Sequence, residues 1–309
     1  MKHPTVLCRA ARLAAFALAS GSVTLLSAAD AEAFCRSTTC DAEVESCRRT
    51  DGCPTTGVPL YWPTRCISFG VQADASPLRG IDFDTAEGII STAILTWTNT
   101  ICPDGSSPSV EFWNYGPILC DRPEFNQADA PNANVVMFRD DGWPYDATHT
   151  LAQTTVTFNT SSGAILDADI EINSADIVIT VDSTEVADDL QSILTHEFGH
   201  FLGFDHSTVQ EATMTANYAH GDISFRTLHA DDIDAICTIY PENRDTPECP
   251  STGPRPPHGF SSFCADTFTD GPGGGCQLSR VATGTSGAGT PWMLLGLLAL
   301  LRRKFRPSF

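Results

Sequence analysis

The chain has 309 residues, enough for one or two domains with a buried core. Its formal charge is −20, from 18 basic and 38 acidic residues, and no lysine occurs between Lys2 and Lys304. So acidic a surface repels nucleic acid and anionic lipid, which excludes nucleic-acid binding and suits a soluble extracellular protein.

Residues 1–33 have the layout of a signal peptide. Lys2, Arg9 and Arg12 precede an Ala-rich apolar stretch, Leu13 to Leu26, and Ala31, Glu32 and Ala33 offer a small-x-small cleavage site. The apolar stretch is short and broken by Gly21, Ser and Thr, which argues against an uncleaved anchor. Export agrees with the 12 cysteines. Setting aside Cys8 and Cys276 leaves an even number, the mark of a disulfide framework, with Cys102–Cys120 as a local pairing.

Residues 34–57 form a short Cys-rich leader. "RCISFGV" (65–71) alternates like a strand. "DTAEGIISTAILTWTN" reads as a helix capped by Asp84, with Glu87 three residues on and Ile90, Ala93, Ile94 and Trp97 on one face. "NVVMF", "TTVTFN" and "ILDADIEIN" read as strands, the last taken as a sheet edge. "STEVADDLQSILTHEFGHFLG" reads as a long helix capped by Ser183 or Thr184 and ended by Gly203. "HADDIDAICTIY" is a third helix, halted by Pro241. These elements make one α+β domain over 58–243: a mixed sheet, then a motif-bearing helix, then a closing helix. Residues 244–275 are rich in Pro, Gly, Ser and Thr and read as a tether.

The chemistry lies in "HEFGHFLGFDH", His196 to His206. On a helix His196 and His200 are four residues apart and project from one face, giving half of a tetrahedral zinc site. Glu197, next to the first ligand, stands where a general base for an activated water is needed. A straight helix would carry later residues away. Gly203 can adopt the left-handed conformation that turns the chain back and returns His206 as third ligand. Three ligands leave a fourth position open, as in catalytic rather than closed structural sites.

With these residues the chain resembles the metzincin clan, whose H-E-x-x-H-x-x-G-x-x-H pattern is matched at every fixed position. Ser207 and "LHADDIDAICTIYP" resemble the matrixin branch, over about residues 58–243. The resemblance implies a metzincin-like fold, a twisted mixed sheet packed on helices, and a zinc endopeptidase acting on protein or peptide. It also implies a Met-turn beneath the zinc, for which Met214 is the residue. The loop "TANYAHGDISFRT" would shape the pocket beside the scissile bond. Matrixins often carry a second zinc held by upstream histidines, but only His149 lies between the signal peptide and the helix, so one zinc is expected. "PTRC" (63–66) resembles the latency motif weakly, and the cysteine parity assigns Cys66 to a disulfide instead. Calcium would suit the Asp-rich stretches Arg139–Trp143 and Asp167–Glu171, neither of which is an EF-hand loop.

Residues 276–309 have three parts: Cys276 after glycines, a small polar spacer, and an apolar run, Trp292 to Leu301, closed by Arg302, Arg303 and Lys304. This resembles the C-terminal sorting tail of myxobacterial exported proteins. Such a tail is cleaved near the cysteine after transient membrane association, and leaves the protein at the cell surface. A plain membrane anchor is the other reading. The alternative to an enzyme is a catalytically latent or non-enzymatic zinc-containing surface protein used for binding or adhesion.

Overall fold

The computed structural model describes residues 34–40, 46–120, 122–123, 133–145 and 150–250, and the backbone of 302–305. The expected signal peptide, Cys276, His149 and most of the tail lie outside the described residues.

One sheet organises the domain. Its strands are β1 (Cys66–Gln72), β2 (Glu111–Ile118), β3 (Val135–Phe138), β4 (Ala152–Asn159), β5 (Ile165–Ile172) and β6 (Arg302–Phe305). They lie in the order β6-β4-β5-β3-β1-β2. β1 pairs parallel with β2 and β3, and β3 parallel with β5. β4 runs antiparallel to β5, and β6 antiparallel to β4 over Val156–Asn159. β5 is therefore an interior strand with a neighbour on each side, which corrects its assignment as the edge. Within residues 34–250, β4 is the outermost strand on that side.

Among the described residues three α-helices accompany the sheet. Helix α1 (Phe83–Thr98) buries Ile90, Ala93, Ile94 and Trp97, the face predicted from spacing, together with Ala86. Its cap is Asp82, whose carboxylate accepts the Thr85 N–H at 2.8 Å, so the helix begins two residues before the expected Asp84. Helix α2 (Leu190–Phe201) is shorter than expected. Asp188–Asp189 pair in parallel with Ile179–Thr180 instead of turning helically. Asp189, not Ser183 or Thr184, caps α2 by accepting the Ser192 N–H at 2.8 Å. Helix α3 (Ala230–Ile239) carries a capping box between His229 and Asp232.

The core lies between the sheet and α1 and α2, around Phe69, Trp97, Phe198, Phe201 and Phe204. Three donors from elsewhere satisfy carbonyls along α2. Trp97 Nε1 donates to Thr195 O (2.8 Å), Trp62 Nε1 to Phe201 O (2.8 Å) and Tyr240 OH to Leu202 O (2.6 Å). The last two use helix-end carbonyls that lack an intrahelical partner.

Four disulfides join described residues: Cys35–Cys53, Cys40–Cys47, Cys66–Cys249 and Cys102–Cys237. Cys102 thus pairs across the fold to α3 rather than locally with Cys120, whose own disulfide partner lies outside the described residues. Cys66 is bridged, as its parity required. The first residues of the expected tether are fastened down. Arg244 donates to Trp62 O at 2.6 Å and Cys249 is bonded to β1.

Candidate metal centre

His196 and His200 lie on consecutive turns of α2, both fully buried. Gly203 follows the helix with φ +93°, and a Cβ there would stand 2.9 Å from the Leu60 carbonyl oxygen, so the turn requires glycine. The chain then reverses through Phe204–Asp205 and returns His206 to the other two rings. The Nε2 atoms of His196 and His200 are 3.0 Å apart, and those of His200 and His206 are 3.2 Å apart. One ligand atom from each of the three lies within 4.8 Å of the others.

The far side of the rings decides what these nitrogens present. His196 Nδ1 lies 2.6 Å from Thr213 O, and His200 Nδ1 lies 2.9 Å from Phe204 O. A carbonyl only accepts, so each Nδ1 carries the proton and each Nε2 a lone pair. Burial, and then the neighbouring imidazoles, push His196 and His200 well below the usual histidine range, so they stay neutral. Burial also lowers His206, against the opposing charge of Asp205. Converging lone pairs repel unless a cation lies between them. Two nitrogens about 2.05 Å from a tetrahedral zinc stand about 3.3 Å apart, close to the spacing of these rings. The three histidines therefore fit zinc.

Glu197 is fully buried beside them. One carboxylate oxygen accepts the hydroxyl hydrogen of Thr154 on β4; the other, Oε1, is buried without a hydrogen-bond partner among the described residues. Burial pushes its carboxyl up to about 8, against the Thr154 hydrogen bond. A bound dication would pull it back down.

Met214 is buried beneath α2. Its sulfur lies so near Gly199 that a Cβ on that residue would come within 2.1 Å of it. Its main chain is fixed from two sides: Ser207 N–H donates to Met214 O (2.7 Å), and Met214 N–H donates to Asp232 (3.0 Å). The Asp232 carboxylate also accepts the N–H groups of Thr213 (2.7 Å) and His229 (2.9 Å). Asp232 thereby holds the carbonyl that orients His196. In the loop after Met214, the Phe225 ring stacks on His196 at 6.4 Å, and Arg226 donates to Asp189, the α2 cap (2.9 Å).

Sequence reasoning singled out His196, Glu197, His200, Gly203, His206 and Met214, and the fold brings all six together. It did not find Thr154, Gly199, Asp205, Asp232 or Arg226. Of these only Asp232 had a local signal, three residues after His229 at a helix start.

The two calcium candidates are placed differently from expectation. In Arg139–Trp143, Asp140 accepts the Ser76 hydroxyl (2.6 Å) and the Leu78 N–H (2.9 Å), tying down the turn at 76–80. Asp167, Asp169 and Glu171 do not lie in a loop but inside β5, all three buried on one face. Glu171 is bound by Arg139 and Tyr145. The facing hydroxyls of Thr155 and Thr157 are buried with no hydrogen-bond partner among the described residues.

The chain is similar in sequence to known proteins over this region. The matrixin family model (Peptidase_M10) matches residues 121–241. The chain is 47% identical over 66 residues to Matrix metalloproteinase-27 of Tupaia belangeri, covering 21% of this chain and 13% of that protein. It is 42% identical over 81 residues to Neutrophil collagenase of Homo sapiens, covering 26% and 17%. Metalloendoproteinase 5-MMP of Arabidopsis thaliana is 32% identical over 147 residues, covering 46% and 39%. The chain thus spans well under half the length of these three relatives. The family match and the three-histidine cluster support a metzincin-like matrixin domain, and the fold is of the α+β metzincin type.

Proposed function

We propose that this protein is an exported zinc-dependent endopeptidase. The observation that carries the reading is the convergence of three neutral imidazoles, with a buried glutamate on the same helical turn. His196, His200 and His206 would hold one zinc ion. When bound, zinc would acidify a water molecule and polarise the scissile carbonyl. Glu197 takes a proton from the attacking water and returns it to the leaving amine. Thr154 keeps the Glu197 carboxylate on the side of α2 that faces β4. Met214 supports the helix from below, and Gly203 sets the turn that delivers His206.

The polypeptide substrate lies extended along the outer edge of β4, the strand that touches Glu197, and bonds to it main chain to main chain. The loop Thr215–Thr227, with Phe225 against His196, shapes the neighbouring side-chain pocket. Arg302–Phe305 pair with the same edge at Val156–Asn159, so a long substrate would compete with them. Cleavage near Cys276 during sorting to the cell surface would remove this competitor. The disulfides agree with an oxidising compartment. A calcium ion on the buried oxygens of Asp167 and Asp169, beside Thr155 and Thr157, would offset their crowding.

Cleavage of a mixed peptide library by the oxidised protein, beside Glu197→Ala, tests the activity. The substitution should lower turnover by about 10²–10⁴-fold. Zinc bound without cleavage by the wild-type protein would favour a latent or purely binding surface protein instead.

A further inference from the structure

The Cys-rich leader is too short to build a core of its own, yet part of it is deeply buried. Phe34 is 8% exposed and Cys35 1%. Cys35–Arg36 pair antiparallel with Phe204–Asp205, the two residues between the Gly203 turn and His206. Ser37 adds two bonds: its N–H donates to Gly203 O (3.0 Å) and its hydroxyl to Phe204 O (3.0 Å). Phe204 O is also the acceptor that orients His200. The Asp205 carboxylate accepts the His206 N–H at 2.7 Å with one oxygen; the other lies 3.4 Å from the Arg49 guanidinium. Arg49 is itself held by Gly52 O (2.6 Å), and a Cβ at Gly52 would meet Thr208 at 2.3 Å. Cys35–Cys53 closes this arrangement into one unit.

We propose that the leader is a fixed strut of the metal centre, in which Ser37, Arg49 and the Cys35–Cys53 bond position His206 and the Phe204 carbonyl. The inference rests on the zinc reading above. The physical case is an entropic one. Apart from its ladder with the leader and the Ser207–Met214 bond, the segment Gly203–Thr208 leaves α2 in no regular element, and ordering its residues costs conformational entropy. The leader supplies that order in advance, so the third ligand is in place before metal arrives. A segment that lies behind the ligand strand and joins it by a ladder differs from a removable cover lying across the cleft. Reduction of Cys35–Cys53 should therefore loosen the metal centre.

The test uses the full oxidised chain and two readouts: zinc affinity by chelator competition, and hydrogen exchange of residues 203–208 in zinc-free protein. Cys35→Ser with Cys53→Ser should weaken zinc about 10–100-fold, as loss of groups supporting ligands does, and should raise exchange in that segment. Cys66→Ser with Cys249→Ser, which removes a bridge from β1 to the chain beyond α3, should leave both readouts unchanged. Equal losses in the two pairs, or none in the first, would overturn the proposal. Should the first pair not fold, Ser37→Ala and Arg49→Gln keep every disulfide and decide the matter. Each should speed zinc release about threefold or more without moving the thermal midpoint of the helical signal, and unchanged release would overturn it. Wild-type protein that takes up no zinc would defeat the zinc reading instead, and is distinguishable from all these results.

Discussion

Thr154 is an alcohol on a strand that otherwise presents Val156 and Phe158 to the core, and its hydroxyl meets the one buried carboxylate on α2. Thr154→Val keeps the shape and removes the donor. It should lower kcat about tenfold with zinc content unchanged, measured by turnover and metal analysis on one sample. Gly199 carries a second prediction. A methyl group there would overlap the Met214 sulfur and press on Trp97, so Gly199→Ala should cost about 1–3 kcal/mol in stability. Thermal unfolding would detect this, and an unchanged midpoint would show that the sulfur moves aside freely. Neither residue was legible in the sequence. The motif announces its ligands because helical spacing puts His196 and His200 together without reference to the rest of the fold. Thr154 lies 43 residues from Glu197 and meets it only through sheet packing.

Among the elements, β5 has the most consequential electrostatics. Burial, and then the charge of Asp167, push Asp169 well above the usual carboxylate range, with Glu171 adding to the effect. The groups facing it are Asp167 and Glu171 on its own strand, Thr155 and Thr157 on β4, and the Val135 N–H on β3, which donates to it at 2.8 Å and opposes the shift. Arg139 and Tyr145 are engaged by Glu171. A carboxyl raised in the folded state stabilises the fold while it is protonated. That contribution is complete below the unfolded pKa of about 3.9 and is lost as pH rises through the folded value. Metal-free protein should therefore lose stability as pH rises out of the acid range, and Asp169→Asn should flatten the slope. Added calcium should raise stability at neutral pH but not in acid, and equal effects at both would count against calcium on β5. Helix faces were legible because Ile90, Ala93, Ile94 and Trp97 repeat at helical spacing. The starts of α1 and α2 were not, since several acids and hydroxyls near each could serve as caps; at α2 the tertiary contact from Arg226 engages Asp189. β2 escaped notice because "EFWNYGPI" is half-buried and interrupted by Gly116 and Pro117, which blur strand alternation.

At the scale of the molecule, the sheet, the motif helix and the closing helix were all visible as an α+β domain. What was not visible is how the ends are tied in. The leader pairs with the chain that carries His206, Cys249 is bonded to β1, and Arg302–Phe305 lie on the outer edge of β4. These are contacts across more than 140 residues, and no local pattern encodes them. They lead to a prediction about length. A protein ending at Gly275 should bind peptides long enough to reach Val156–Asn159 with a KM lower by about threefold or more. Peptides that reach only Thr154 should show no change. Kinetics on a nested peptide series would separate the two, and a uniform shift would mean that Arg302–Phe305 do not compete for the edge.

The most direct measurement is the zinc content of the oxidised protein, compared with Glu197→Ala and His206→Ala. Wild type and Glu197→Ala should each hold about one zinc per chain, and His206→Ala should hold it weakly or not at all. Wild-type protein that takes up no zinc, or His206→Ala protein that holds it as tightly as wild type, would contradict the assignment of His196, His200 and His206 as the metal centre.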